Sequence, residues 1–272
     1  MRGSRGRARA AASLEGARCL ITGASAGIGR ALALRLAAAG ARVCLHGRDA
    51  DALAAVADAA GGAPWVASDL AEPDGVRHVA TSALDALGGI DVLVNNAGIG
   101  WAGPFASMTD DEIARLVAVD LTAPMLLTRA LVPSMVEQHR GHVVFVGSIA
   151  GHVGVPNEAA YAAVKAGLVG LADSLRAELG RAGIAVSLVS PGPVVTEFFA
   201  RRGVPYERRF PRPVPPERVA DAIVRCIRTG RAEVFVPRWL SVPARLRGVA
   251  PATYRRAAAW GMDVGTDRRG LS

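Results

Sequence analysis

The stretch Arg18-Cys-Leu-Ile-Thr-Gly-Ala-Ser-Ala-Gly-Ile-Gly29 decides the fold. It begins with an apolar run typical of a buried strand and ends in a turn with three glycines, after which a helical pattern continues to Gly40. Glycines between a strand and a helix let the backbone approach a phosphate group at the helix N-terminus. The same cluster also fits an ordinary loop in an alanine- and glycine-rich chain, so its meaning depends on the elements that follow.

The rest of the chain repeats this alternation of strand and helix. Apolar runs predict strands at residues 18–22, 43–46, 65–67, 90–94, 142–146, 184–189 and 233–236. Helical patterns predict helices at residues 30–39, 50–60, 74–87, 109–137, 157–181 and 217–229. Strands without strict alternation, separated by helices, predict an α/β fold with a doubly wound parallel sheet, arranged as one three-layer αβα domain over residues 16–237.

The positive charge of the chain lies in its two ends. The net charge is +8, of which residues 1–18 carry +4 and residues 238–272 carry +5, so the body between them carries −1. An enzyme body that binds nucleic acid is expected to carry the basic stripe itself. The charge distribution therefore argues against nucleic acid as a partner. Residues 1–15 are predicted to be a basic flexible tail, and residues 238–272 a basic amphipathic tail.

The cysteine, histidine and hydropathy patterns bear on the cellular location of the protein, on metal binding and on membrane spans. Three cysteines in apolar or helical contexts are too few for a disulfide framework, which predicts a reducing, cytoplasmic location. The histidines lack metal-ligand spacing, so no metal site is predicted. No uncharged apolar run reaches the roughly 18 residues that span a bilayer.

Two side chains on one predicted helix point to acid–base chemistry. Tyr161 and Lys165 are four residues apart and share a helix face, and Lys165 is the single lysine of the sequence. A cation roughly 4 Å away at an effective dielectric constant of about 20 contributes about 4 kcal/mol, which would lower the tyrosine pKa toward neutrality. Such a pair is also a common surface neighbour. Ser148, at the end of a predicted strand, makes chemistry the favoured interpretation, and Gly147-Ser-Ile-Ala-Gly151 is not the turn of a serine hydrolase.

Taken together, these motifs resemble the short-chain dehydrogenase/reductase family over residues 16–237. The matching segments follow the ends of predicted strands: Thr22-Gly-x-x-x-Gly-Ile-Gly29, Asn95-Asn-Ala-Gly98, Ser148, Tyr161-x-x-x-Lys165 and Pro191-Gly-x-x-x-Thr196. The resemblance implies a Rossmann-type fold, a nicotinamide cofactor and hydride transfer at a carbonyl or alcohol carbon. It also implies a homodimer or homotetramer formed through the two long helices.

The resemblance assigns a role to each catalytic position. Tyr161 would exchange a proton with the substrate oxygen, Ser148 would hold that oxygen, and Lys165 would lower the pKa of Tyr161 and bind the nicotinamide ribose. The cofactor-binding residues implied in the same way are Gly23, Ser25, Ile28, Gly29, Arg48, Asp69, Leu70, Asn95, Gly98, Tyr161, Lys165, Pro191, Val194 and Thr196.

One catalytic position departs from the family pattern. Asp120 stands where the family has an asparagine that helps to hold a water in a proton relay to the lysine. A carboxylate accepts the same hydrogen bonds and stabilises Lys165 as a cation, but it donates none. The alternative is that Asp120 only fills a disturbance that Pro124 causes in the helix predicted at residues 109–137.

The end of the second strand bears on the choice of cofactor. It reads His46-Gly47-Arg48-Asp49, with Gly47 at the position where an acid would bind the ribose of NAD. A guanidinium at Arg48 suits a 2′-phosphate, so NADP is favoured over NAD. Asp49 is either a second ribose ligand or, as we favour, the N-cap of the next helix.

Three further segments have open interpretations. The segment at residues 196–215 contains four aromatic and five arginine residues. It is either a lid over a bulky, apolar substrate that can also be anionic, or an ordinary mobile loop with solvated charges. The 238–272 tail lies on an anionic membrane as a peripheral contact, lies against a partner subunit, or packs over the substrate cleft. Trp101 and Phe105 either line the pocket or pack in the core.

The sequence thus predicts an NADP-dependent oxidoreductase that acts on a small-molecule ketone or secondary alcohol. The alternative is a nucleotide-binding sensor or scaffold that uses the fold without turnover. The intact set of Ser148, Tyr161 and Lys165 favours the enzyme.

Overall fold

A seven-stranded parallel sheet forms the centre of the protein. The computed structural model describes residues 13–208, 210–254 and 256. The strand order is β3-β2-β1-β4-β5-β6-β7, and every named pair is parallel. The strands are β1 Arg18–Ile21, β2 Arg42–Gly47, β3 Trp65–Ala67, β4 Val92–Asn95, β5 Gly141–Val146, β6 Ile184–Pro191 and β7 Glu233–Val236.

Helices cover both faces of this sheet. The helices are α1 Gly27–Ala38, α2 Ala50–Ala59, α3 Pro73–Leu87, α4 Asp110–Val117, α5 Ala123–Glu137, α6 Ala159–Leu179, α7 Phe198–Arg201, α8 Pro216–Thr229 and α9 Ser241–Val249. One apolar cluster joins the sheet to α1, α2 and α8, and a second joins it to α3, α5 and α6. The predicted doubly wound, three-layer α/β fold is confirmed.

The strand order places a crevice at the carboxyl ends of β1 and β4. The chain moves outward in one direction from β1 to β3 and then returns to the centre at β4. Loops that leave two adjacent strands in opposite directions open a crevice between them, where ligands of such sheets bind. The glycine turn follows β1, and the Asn95–Gly98 segment follows β4, so both border this crevice.

The helix predicted at residues 109–137 is interrupted. Thr109 and Glu112 form the expected capping box at its start, but a π-helical turn at Ala118–Thr122 separates α4 from α5. Pro124 cannot donate a backbone hydrogen bond to Asp120, four residues earlier, which accounts for the disturbance at this point. The prediction of one continuous helix was therefore wrong, and the predicted disturbance near Asp120 is confirmed.

Other boundaries differ by a few residues. The helix predicted from residue 157 begins at Ala159, because Asn157 adopts a left-handed conformation with φ of 63°. The first helix begins at Gly27, inside the glycine turn, and not at Arg30. The structure thus places the N-terminal amide groups of α1 closer to the crevice than the sequence predicted.

The α4–α5 segment is the one described segment that resembles a membrane span. Asp110–Glu137 is long and apolar enough, by length and composition, to cross a bilayer, with a mean hydropathy of 1.5 over its most apolar window. In this fold Leu127, Leu131 and Met135 are fully buried against the sheet and α3. The core therefore accounts for part of its apolar character, since 44% of that window is buried.

The described part of the C-terminal tail folds back onto the body. Leu240 is buried against Gly192, and Arg247 Nη1 donates to the carbonyl oxygen of His152 at 2.6 Å. The tail therefore packs beside the loop that carries Ser148. Trp260 and residues 1–12 of the tail predicted at residues 1–15 lie outside the described residues, whereas Leu14 is buried in the first apolar cluster.

Arg18 and Asp91 connect the start of β1 to the loop before β4. Arg18 donates to Asp91 from Nε at 2.8 Å, from Nη2 at 2.8 Å and from its backbone amide at 3.0 Å. Arg18 Nη1 also reaches the carbonyl oxygen of Gly88 at 2.7 Å. The side chains are 16% and 19% exposed, so this pair is shielded far better than a surface ion pair.

We predict that Arg18→Ala lowers the free energy of unfolding by about 2–3 kcal/mol, because Asp91 then loses its charged hydrogen-bond partner. The matched control is Arg77→Ala, which removes an arginine paired with Asp74 at a site where both side chains are largely exposed. This change should alter stability by no more than about 0.5 kcal/mol. Urea unfolding measures the free energy of unfolding of both variants. Equal losses would show that the Arg18–Asp91 pair stabilises the fold no more than the exposed pair does.

Candidate active site

The turn after β1 is a cradle that only glycine can form. Gly23 has a φ of 67°, and a Cβ atom there would lie 2.8 Å from Ala97 Cα. A Cβ atom at Gly29 would lie 2.1 Å from the carbonyl oxygen of Gly23. Positions 23 and 29 must therefore lack a side chain for β1, α1 and the loop after β4 to pack together.

Two polar residues hold this turn against the loop after β4. The hydroxyl of Thr22 accepts from the backbone amides of Asn96 and Ala97, both at 3.0 Å. The Asn96 amide nitrogen donates in return to the carbonyl oxygens of Thr22 and Gly23 at 2.8 and 3.2 Å. Asn96 was not predicted as a separate site residue. Its place in the Asn95-Asn-Ala-Gly98 segment after a predicted strand was the available signal.

A cleft of about 510 Å³ runs along the carboxyl edge of the sheet. The predicted site residues that line it are Gly23, Ser25, Ile28, Arg48, Asp69, Leu70, Gly98, Ser148, Tyr161, Lys165, Pro191, Val194 and Thr196. Residues far apart in sequence, from the first strand to the sixth, therefore meet in a single cleft, as the parallel sheet predicts.

Three predicted site residues lie behind the cleft wall. Gly29 supports the glycine turn by close packing. Asn95 is buried, and its amide nitrogen donates to Thr128 Oγ1 at 3.2 Å, while its Oδ1 has no partner among the described residues. Asp120 is fully buried. These three residues do not line the cleft and can affect it only through the residues that they contact.

Ser148, Tyr161 and Lys165 form one group on the wall of the cleft. Ser148 follows β5, and its hydroxyl accepts from the amide of Ala150 at 3.1 Å. The same hydroxyl lies near enough to Tyr161 to lower the pKa of its phenol. Lys165, one helical turn after Tyr161, places its Nζ 5.6 Å from the centre of the tyrosine ring. The structure thus brings the three predicted residues together.

The electrostatic effect on Tyr161 differs from the prediction. Burial raises the pKa of Tyr161, Lys165 lowers it and Asp120 raises it again, so the pKa lies above its ordinary value. The prediction that Lys165 brings this pKa toward neutrality was therefore wrong for the protein chain alone. Lys165 does lower this pKa, as predicted, but the desolvation of the phenol and the carboxylate beside the lysine outweigh its effect.

Asp120 makes direct contact with Lys165. Asp120 Oδ2 lies 3.0 Å from Lys165 Nζ, and Asp120 Oδ1 accepts from the amide of Ile99 at 2.7 Å. Both side chains are at least 95% buried. Burial opposes charge on Lys165, but Asp120 and Tyr161 outweigh it, so the pKa of Lys165 lies above its ordinary value. Burial also raises the pKa of Asp120, while Lys165 and the Ile99 amide oppose that shift. Asp120 thus keeps the lysine charged and offsets its effect on Tyr161.

The opposite end of the cleft carries Arg48 and a second arginine. Asp69 lies between them: its Oδ2 accepts from Arg115 Nη2 at 2.8 Å, and its Oδ1 accepts from the amide of Ala71 at 2.9 Å. Burial opposes charge on Asp69, but these hydrogen bonds and both arginines hold its pKa below the ordinary value. Arg115 was not predicted as a site residue, because 46 residues separate it from Asp69 and no local pattern connects them.

Asp49 serves as a helix cap. Its Oδ1 accepts from the amide of Ala52 at 3.0 Å at the N-terminus of α2, and it does not line the cleft. Gly47 ends β2, and a Cβ atom there would lie 3.1 Å from Ser25 Oγ. The favoured interpretation of Asp49 is thus confirmed, and Arg48 is the charged residue of this strand end that lines the cleft.

The segment after β6 covers the reactive end of the cleft. The ring of Phe198 lies 5.7 Å from the ring of Tyr161. Arg202 Nη1 pairs with Glu158 Oε1 at 2.9 Å, where the two side chains are 5% and 15% exposed. The guanidinium of Arg202 also lies 4.7 Å from the centre of the Phe199 ring. A buried ion pair and aromatic contacts therefore hold this segment against the cleft.

Trp101 and Phe105 do not line the cleft. Trp101 packs against Met108, Leu116 and Val164, so the core alternative applies to it. Phe105 is 59% exposed, so it neither lines the cleft nor packs in the core. The aromatic wall of the cleft is formed instead by Phe198, Phe199 and Tyr206.

The family model, the similar proteins and the similar solved structures all indicate one protein family. Residues 17–205 match the family model described as short chain dehydrogenase. Dehydrogenase/reductase SDR family member 7B from Bos taurus is 34% identical over 269 residues, which cover 92% of this chain and 83% of that protein. The ketoacyl reductase HetN from Nostoc sp. (strain PCC 7120 / SAG 25.82 / UTEX 2576) is 36% identical over 233 residues, which cover 82% of this chain and 79% of that protein.

Similar solved structures hold either nicotinamide cofactor. A metagenomic short-chain oxidoreductase in complex with NADP is 39% identical, has a TM-score of 0.71 and covers 82% of this chain and 98% of its own. A short chain dehydrogenase/reductase from Burkholderia phymatum in complex with NAD is 26% identical, has a TM-score of 0.79 and covers 87% of this chain and 94% of its own.

We predict that Asp120→Asn shifts the titration of Tyr161 to lower pH. The change removes the anion that raises the pKa of Tyr161, while the amide oxygen still accepts a hydrogen bond. Tyrosinate absorbance follows the titration, and Tyr161→Phe identifies which signal belongs to this residue. The control Asp111→Asn, which changes an exposed carboxylate of α4, should leave it unchanged. An unaltered Tyr161 signal in Asp120→Asn would show that the buried carboxylate does not act on the phenol.

Proposed function

Because the chain belongs to the short-chain dehydrogenase/reductase family of NAD(P)-dependent oxidoreductases, we propose that it uses NADP to interconvert a ketone and a secondary alcohol, with Tyr161 as the acid and base. The observation that carries this proposal is the meeting of Ser148 and Tyr161 on the wall of the cleft that begins at the glycine turn. Both hydroxyl-bearing side chains line the same cleft, so both can address one substrate oxygen.

The residues around the cleft fit a dinucleotide. The glycine turn leaves room for a pyrophosphate, because a side chain at Gly23 or Gly29 would collide with the neighbouring backbone. The N-terminus of α1 opens at this turn, where the helix dipole and free amides favour an anion. Further along the cleft we assign the adenine contacts to Asp69 and Leu70.

The remaining predicted contacts belong to the nicotinamide half of the cofactor. We assign the ribose to Tyr161 and Lys165, and the nicotinamide end to Gly98 and to the loop after β6 with Pro191, Val194 and Thr196. All of these residues line the cleft. A nicotinamide bound there would supply or accept the hydride.

The proton chemistry falls to Tyr161. During reduction the phenol of Tyr161 donates its proton to the carbonyl oxygen, and the hydroxyl of Ser148 hydrogen-bonds that oxygen and fixes its position. A tyrosine pKa above its ordinary value keeps the phenol protonated at neutral pH, which is the form that reduction needs. During oxidation the tyrosinate accepts the proton, and the cation of Lys165 stabilises that form.

Arg48 supports NADP as the favoured cofactor. A 2′-phosphate needs a cation and hydrogen-bond donors, which Arg48 and Ser25 offer on the cleft wall beside Gly47. The nearest acid in sequence, Asp49, is engaged at the start of α2 and is not a ribose ligand in this arrangement. Both cofactors occur among similar solved structures, so the local residues decide the preference.

The segment over Tyr161 supports a bulky, apolar substrate. Phe198, Phe199 and Tyr206 line the reactive end of the cleft. Arg202 lies among them but is engaged by Glu158, so its charge is compensated within the protein. We therefore propose that residues 196–215 act as a lid over a bulky, apolar carbonyl compound.

The assembly proposed from the family resemblance is a homodimer or homotetramer formed through the long helices. Val117 on α4 and Met125 on α5 support it, because these apolar side chains are 37% and 40% exposed on the outer surface. Burial of such side chains against a second copy would remove them from water.

We predict that Arg48→Ala lowers kcat/KM with NADPH about ten- to hundredfold, which corresponds to loss of a charge-assisted hydrogen bond worth about 1.5–3 kcal/mol. The value with NADH should change by no more than about threefold, because that cofactor has no 2′-phosphate. Arg77→Ala, at an exposed position outside the cleft, serves as the control. A tenfold preference of the unaltered protein for NADH would refute the assignment of NADP.

We predict that Tyr161→Phe reduces turnover by at least about a hundredfold while NADPH binding, followed by its fluorescence, is retained. The assay follows NADPH absorbance across a panel of ketones, acyl thioesters, sugars and steroids. If the unaltered protein binds NADPH but shows no more turnover than Tyr161→Phe with any compound, the alternative of a nucleotide-binding sensor or scaffold is correct.

A further inference from the structure

The C-terminal helix carries an apolar stripe that faces solvent. Trp239, Val242, Leu246 and Val249 are 41%, 64%, 43% and 86% exposed, and their spacing places them along one side of the Arg238–Leu240 turn and α9. The other side contacts the body through Leu240 and Arg247. The helix is therefore fixed to the protein with its apolar stripe turned outward, the reverse of an ordinary core helix.

An aromatic contact extends this stripe to the proposed lid. The Phe210 ring stacks on the Trp239 ring with 4.8 Å between their centres and 19° between their planes, and Phe210 is 67% exposed. Its neighbour Pro211 lines the cleft and accepts a hydrogen bond from the hydroxyl of Tyr206 at 2.8 Å. We call Phe210, Trp239, Val242, Leu246 and Val249 the outer face. It borders the wall of the cleft.

The outer face lies in a basic stretch of the chain, where Arg245 is near enough to Glu233 of β7 to lower the pKa of that carboxyl. Residues 234–256 contain five arginines and no aspartate or glutamate. Arg238 and Arg245 lie seven residues apart and flank the stripe along the helix. A second copy docked face to face would bring these arginines against their equivalents, so charge disfavours self-association. An anionic surface is the complementary partner.

We propose that the outer face docks on an anionic lipid bilayer. Its aromatic and aliphatic side chains enter the boundary between headgroups and acyl chains, and its arginines pair with the headgroup phosphates. A helix with an apolar side and a basic flank lies in the plane of such an interface. This contact places the lid and the cleft wall at the membrane surface. The proposal stands on the surface alone and is independent of the assigned reaction.

Vesicle flotation of the full chain tests this proposal. The vesicles are pure phosphatidylcholine or phosphatidylcholine with about one third phosphatidylglycerol, a fraction that gives a strongly negative surface. We expect at least tenfold more protein bound to the anionic vesicles, with the bound fraction falling as salt rises. The fluorescence of Trp239 should shift to shorter wavelength on binding, as its ring leaves water.

Two tryptophans of equal exposure provide a matched comparison. Trp239→Gln should lower binding at least fivefold, whereas Trp65→Gln should leave it unchanged. Trp65 is 40% exposed on β3, at the opposite edge of the sheet from β7. Val242→Gln combined with Val249→Gln tests the stripe without disturbing the stack on Phe210 and should lower binding by a similar factor.

Several results would overturn the proposal. These are absence of binding to the anionic vesicles, equal binding to neutral vesicles at all salt concentrations, and equal losses in Trp239→Gln and Trp65→Gln. Sedimentation without lipid provides the remaining test. A self-association that Trp239→Gln abolishes would show that the outer face is covered by a second copy, and failure of vesicles to shift the Trp239 emission would show that it is covered within the chain.

Discussion

The buried contact between Asp120 and Lys165 is the constraint on which the reactive end of the cleft depends. It ties the π-helical turn to α6, and through Ile99 it also ties that turn to the loop after β4. A lone ammonium in this interior would be costly, because burial without a partner charge leaves the group uncompensated. The carboxylate thus keeps Lys165 in place beneath Tyr161, and it sets how much positive charge the phenol experiences.

The fold and most of the cleft could be predicted because they rest on local patterns. Strand and helix periodicity, together with the glycine turn after β1, led to the parallel sheet, and the sheet then gathered the strand ends at one edge. The end of β2 was predictable for the same reason, since Asp49 caps the helix that follows it. Element boundaries were less certain, as the π-helical turn at Ala118–Thr122 shows, because proline disturbs a helix in more than one way.

What the sequence did not predict depends on contacts between distant segments. Arg115 reaches Asp69 across 46 residues, and Arg202 reaches Glu158 across 44, with no spacing rule to indicate either pair. The pKa of Tyr161 was predicted in the wrong direction for a related reason. The helical spacing revealed the cation at Lys165, but the desolvation of the phenol and the compensating charge of Asp120 arise only when the whole chain surrounds them.

The bond from Arg247 to the carbonyl oxygen of His152 joins the last helix to the segment that begins with Ser148. The stack of Phe210 on Trp239 forms a second link between the same helix and the cover of the cleft. A molecule that binds α9 more tightly when these two links are made than when they are broken changes the affinity of the cleft for its ligand. Because coupling between two binding sites is reciprocal, the cleft ligand changes the affinity of α9 for that molecule by the same free energy. Truncating the chain after β7 would therefore remove this coupling to the cleft as well as the α9 surface itself.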